Sequence, residues 1–245
     1  MAKVILSLIL GIFLTGLPFY LAWYTRKKLA VVNYNYWKPG IISIMITFFY
    51  LAFLQNLMPM LASLADLPTI AIIAITMALF TELGRFFILD KVIKVRFKPD
   101  VITFALGFQS IETLFLGLGL IIISYLFYIG QFDMNMINKL GLEPNEMALF
   151  KERLSILLNT SYWELAIAMM AKIAALGMSL YCSLKIVGGI VEVKQLKIWG
   201  MVLFRAIFLF TIMIPLGIYG EIFNLFVLIG VSLFCFWTVK KGGKI

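Results

Sequence analysis

The sequence predicts an all-α fold: a polytopic transmembrane helix bundle of about seven spans, forming one integral membrane domain over residues 1–245. Three observations carry that expectation. Hydrophobic residues make up 63% of the chain and charged ones only 13%, more apolar surface than a water-soluble domain of this size can bury. The apolar residues fall in runs of about 20, the length a helix needs to cross a hydrocarbon core. Lys and Arg collect at the ends of those runs.

The first run, Val4–Tyr24, is closed by Arg26, Lys27 and Lys28 and lacks a small-residue cleavage site, so it reads as a retained span rather than a secretory leader. Gly40–Leu61, Thr69–Leu89 and Val101–Ile129 supply spans two to four. In the long connection Gly130–Ser161, Pro144 suits a first helical turn. Met147, Phe150, Leu154, Leu157 and Leu158 then recur at three- and four-residue spacing, which predicts an external amphipathic helix lying at the interface. Tyr162–Leu184, Lys197–Tyr219 and Ile222–Val239 complete the set, with Gly188-Gly189 expected as a turn between the first two of them. Pro18, Pro59 and Pro215 lie inside spans and predict kinks, since neighbouring helices can satisfy the freed carbonyls. Tyr162, Trp163 and Trp199, near span ends, are aromatic-belt residues.

Seven spans put the termini on opposite sides. Fourteen Lys and Arg residues fall on the side of the first connection and the C-terminal tail, against four on the other. The positive-inside rule therefore expects the N-terminus outside and the C-terminus in the cytoplasm, in the plasma membrane of a prokaryote. The net charge of +9 belongs to these orienting and lipid-facing residues, so the bilayer is the expected partner and nucleic acid is not. Cys182 and Cys235 lie near predicted cytoplasmic ends, where a disulfide is not expected. The chain has no histidine. That removes the commonest metal ligand and general base, and no metal or cofactor is expected.

Six ionisable residues interrupt the apolar runs: Glu82, Arg85, Glu112, Glu164, Lys172 and Arg205. A charge at the centre of a membrane helix costs about 2.5–3.5 kcal/mol on insertion scales, so such residues face the bundle interior and mark candidate sites. Glu82 and Arg85 share a helical face, as do Gln109 and Glu112. Lys172 and Arg205 lie about 15 and 12 Å into their spans, too deep for simple interface anchors. Three acids and three bases sum to zero, and pairing is the cheapest way to hold charge away from water. The expectation is a central polar cavity lined by Glu82, Arg85, Gln109, Glu112, Glu164, Lys172 and Arg205.

The chain resembles the YhfC family of intramembrane endopeptidases, related in fold to the CAAX-prenyl endopeptidases and to the anterior-pharynx-defective subunit of γ-secretase. The resemblance runs over about Met77–Phe210 and rests on four motifs in order. Phe80, Glu82, Gly84 and Arg85 match F-E-E-x-G-R, with Thr81 replacing the first glutamate. Gly107, Ile111 and Glu112 match G-H-G-G-x-E-A, with Phe108 replacing its histidine. Glu164, Ala168 and Lys172 sit in the frame of the E-R…A…H motif, with Lys172 in the histidine position. Ala206 and Phe210 match H-A-x-x-D-F, with Arg205 replacing the histidine and Leu209 the acid. The resemblance adds Phe108 to the cavity.

If the family's imidazoles and carboxylates hold a metal or activate water, Lys172 and Arg205 put fixed positive charge where the metal or proton would be. The resulting expectation is a salt-bridged, non-catalytic relative of these proteases, a scaffold or binding subunit for another membrane protein or a lipid-modified peptide. An active glutamate-dependent endopeptidase is the alternative, with Glu82 as general base and Glu112 or Gln109 positioning water. A small transporter or proton pathway along the same polar line is the third.

Overall fold

Apolar segments in a bilayer have no water to satisfy their backbone, so each must close its hydrogen bonds within itself as a helix. The computed structural model describes residues 2–29, 31, 36–94, 97–132, 162–213 and 217–241, and every regular element among them is helical. The helices are α1 (Ala2–Lys28), α2 (Trp37–Leu61), α3 (Asp66–Phe87), α4 (Lys98–Phe132), α5 (Tyr162–Val191), α6 (Gln195–Met213) and α7 (Gly217–Lys241), with a π turn at Ile88–Val92 continuing α3. Six are long and apolar enough to cross a membrane, and α7 carries a shorter apolar stretch, Phe223–Thr238. The chain is an integral membrane protein. The predicted external helix of Gly130–Ser161 lies outside the described residues.

Two boundaries differ from expectation. The sixth span was expected to run through Pro215 to Tyr219, whereas α7 already includes Gly217 to Tyr219; α6 is described to Met213, and the kink expected at Pro215 lies outside the described residues. Pro18 and Pro59, by contrast, do lie inside α1 and α2. The second difference is Gly188-Gly189, which lies within α5 rather than forming a turn. The turn comes later, where the Val193 amide donates to the Ile190 carbonyl (3.3 Å) and the Lys194 amide to the Gly189 carbonyl (2.8 Å), a Schellman closure.

That closure puts Val193 at φ 55°, a left-handed conformation costly for a β-branched residue. A carboxylate clasp beside it ties the turn together, with Glu192 meeting Lys197 at 2.5 Å and Lys194 at 2.9 Å. These two lysines, Lys197 first, pull the Glu192 carboxyl down to about 2. Val193 itself is 87% exposed, so its side chain contributes little packing. Replacing Val193 with Gly is expected to stabilise the protein by about 1 kcal/mol, read as a higher midpoint of thermal unfolding. A lowered midpoint would mean that the valine is held for another reason.

Helix α4 is the axis of the bundle. On one side it packs against α1 and α2, and on the other against α5, which in turn holds α6 and α7; α3 lies chiefly against α6. Glycines set the α4 contacts. A Cβ on Gly117 would stand 2.5 Å from Thr15 Oγ1 and 2.8 Å from the Gly11 carbonyl oxygen, so α1 and α4 touch backbone to backbone. A Cβ on Gly40 would lie 2.6 Å from the Gly107 carbonyl oxygen, and one on Gly107 would run into the Tyr36 carbonyl oxygen. Membrane helices lack a strong hydrophobic drive to associate, and close approach through small residues supplies dispersion contact instead.

Candidate polar site in the membrane

The buried face of α3 reads Ala74, Ala78, Glu82, Arg85, spaced four, four and three residues apart. Its two alanines let α6 come close, and α6 answers with Val202, Ala206 and Leu209 in the same cluster. At the end of this apolar seam the ionic residues take over. Arg205 Nη1 donates to Glu82 Oε1 at 3.0 Å, and Arg85 Nε lies 3.5 Å from Glu82 Oε2. Glu82 and Arg85 are wholly inaccessible, and Arg205 is nearly so.

Arg85 extends the cluster to two more helices. Its Nη1 donates to the Ser179 carbonyl at 2.9 Å and meets Ser183 Oγ at 3.4 Å, both on α5. Its guanidinium carbon sits 4.7 Å from the centre of the Phe108 ring on α4, a cation–π contact. Ser179 Oγ in turn donates to the Ala105 carbonyl of α4 at 2.7 Å. Thus α3, α4, α5 and α6 are tied at one level by side chains that each bridge two helices.

The cluster holds one carboxylate and two guanidiniums. Among the described residues, Arg85 Nε and Nη2 and Arg205 Nε make no hydrogen bond, and Glu82 Oε2 is held by charge alone, so three donors face one open acceptor. A buried excess charge of this kind is stabilised by its single carboxylate and by the Phe108 ring, which places unusual weight on Glu82.

The predicted constellation divides into two groups among the described residues. Glu82, Arg85, Arg205 and Phe108 meet in the sealed cluster, while Glu112 and Lys172 form a separate pair at 2.5 Å with side chains 50% and 18% exposed. Gln109 is buried on α4, and the side chain of Glu164 lies outside the described residues. Glu82 and Arg85, expected to line a central cavity, are sealed from solvent. A groove of about 430 Å³ does exist between α2 and α3, but it is lined by Ile46, Phe49, Leu79, Phe80, Leu83 and Gly84 and by none of the charged residues. No three His, Cys, Asp or Glu side chains among the described residues come together as metal ligands.

Two members of the site, Ser179 and Ser183, escaped the sequence reading. Their signal is a pair of serines four residues apart on one helix face; Arg85 takes the Ser179 backbone carbonyl and the Ser183 hydroxyl, while the Ser179 hydroxyl goes to Ala105 of α4. No protein-family model matches the chain, and neither a curated protein nor a solved structure does.

Proposed function

We propose that this membrane protein is a non-catalytic relative of the YhfC-type intramembrane endopeptidases it resembles in sequence, serving as a scaffold or binding subunit for another membrane protein or a lipid-modified peptide. One observation carries the proposal. The carboxylate that would act as general base, Glu82, is sealed from solvent and engaged by two guanidiniums. A general base must come within hydrogen-bond reach of a water or substrate, and this one is already committed to Arg205 and Arg85. Glu112, the other candidate, is held by Lys172.

The test pairs isolation with activity. Mass spectrometry of the protein purified from native membranes is expected to find a stoichiometric membrane partner, and the protein reconstituted in vesicles is expected to leave a transmembrane peptide uncut. Cleavage that disappears with Glu82→Gln would establish the endopeptidase instead.

The proposal includes an orientation, N-terminus outside and C-terminus cytoplasmic, supported by the fourteen-to-four bias of Lys and Arg. Single cysteines introduced by Lys98→Cys and Lys139→Cys should react with an impermeant reagent from opposite sides, the native Cys182 and Cys235 being buried. Labelling of both from one side would refute the arrangement.

A further inference from the structure

The Glu112–Lys172 pair stands where an ion pair is hardest to explain. Glu112 occupies the middle of the Lys98–Tyr125 span, about 20 Å from either end, yet it is half exposed. It also belongs to a built interface. Ala105 and Ser179 touch between α4 and α5, and Glu112 and Lys172 lie seven residues further along each helix in the antiparallel sense, so the pair continues the same seam at the point where it opens. Only Oε1 of Glu112 is bonded to Lys172; Oε2 hydrogen-bonds to no described residue. Beyond Glu112, the same face of α4 exposes Phe115, Leu116 and Ile122. Gly119 lies among them with open space where a Cβ would stand.

Lipid covers such an apolar stripe well, but hydrocarbon cannot satisfy the open side of the charge pair. We propose that this face is a homodimer interface, in which two copies of the chain meet across α4 and α5 about a two-fold axis along the membrane normal. Charge complementarity selects a second copy as the occupant. A two-fold axis along the normal keeps equal depths together, so each Glu112 faces the partner's Lys172 and the two pairs close into a neutral four-charge ring. Gly119 allows the backbones to approach, and Phe115, Leu116 and Ile122 supply the apolar contact around the ring. This association does not depend on whether the protein is catalytic.

The test uses the full-length chain in lipid vesicles. Phe115→Cys is expected to give a cross-linked dimer. The double exchange Glu112→Lys/Lys172→Glu preserves the pair within each chain, so it should fold and dimerise with itself. Mixed with differently tagged wild-type chain, it brings like charges together, and cross-linking between the two types should fall at least tenfold below that within either type. A Phe115→Cys protein that remains monomeric in vesicles would overturn the proposal and leave the face to lipid or to a different protein's helix. Mixed cross-linking as frequent as self cross-linking would overturn it as well.

Discussion

Glu82→Gln is expected to destabilise the protein by about 3–5 kcal/mol, the range seen when one partner of a buried ion pair is removed and the other is left charged. The reason lies in the count. With Glu82 neutral, Arg85 and Arg205 remain as two buried cations without the counter-charge that both now share. A glutamine oxygen can still accept from Arg205 Nη1, so the hydrogen bond at 3.0 Å is replaceable while the charge is not. The change should appear as a sharply lower midpoint of thermal unfolding in detergent, with retained helicity below it. A catalytic carboxylate held in a strained site behaves in the opposite way, since removing it tends to stabilise.

The second large effect is steric. Gly107→Leu should destabilise by about 3 kcal/mol or prevent assembly, the upper end of what overpacking costs. Even the first added carbon meets the Tyr36 carbonyl oxygen, a backbone atom that cannot swing aside as a side-chain end can. The neighbouring contact of Gly40 with the Gly107 carbonyl gives α2 no room to retreat along α4. Gly200 provides the control. It too lies in a membrane helix but has open space where a Cβ would stand, so Gly200→Leu should leave the unfolding midpoint nearly unchanged. Equal losses at both positions would mean that the α2–α4 contact does not set the cost, since leucine is the better helix former and propensity alone would favour it at both.

Much of the fold was legible because its signal is one-dimensional. Apolar runs, their lengths and the charges at their ends locate α1 to α5 closely. The placing of Gly217 to Tyr219 in α7 was missed because the apolar run carries no charge there to mark a boundary. Gly188-Gly189 misled as well, since glycine is common both in turns and at helix contacts; Gly189 meets Lys197 and Lys194 of the returning chain.

The site was legible in membership more than in arrangement. Depth along a helix follows from residue number at about 1.5 Å per residue, so Glu82, Glu112, Lys172 and Arg205 could be set at compatible levels. Which helix lies beside which is not written in that number. Because α3 packs on α6 while α4 packs on α5, Glu82 finds Arg205 and Glu112 finds Lys172. The motif resemblance named Phe108 only as a replacement for histidine, whereas its ring face holds Arg85. Ser179 and Ser183 went unnoticed because small hydroxyls are common in membrane helices and can bond to their own backbone.

The central claim is that Glu82 is a structural counter-ion to two guanidiniums. A double-mutant cycle on Glu82→Gln and Arg205→Met, read as unfolding free energy of the full-length protein in detergent, measures that role most directly. Arg205→Met leaves the neutral Glu82–Arg85 pair and should cost less than Glu82→Gln, and in the double variant the loss should be smaller than the sum of the two single losses by about 1–3 kcal/mol. Strict additivity, or a Glu82→Gln protein as stable as the wild type, would contradict the account.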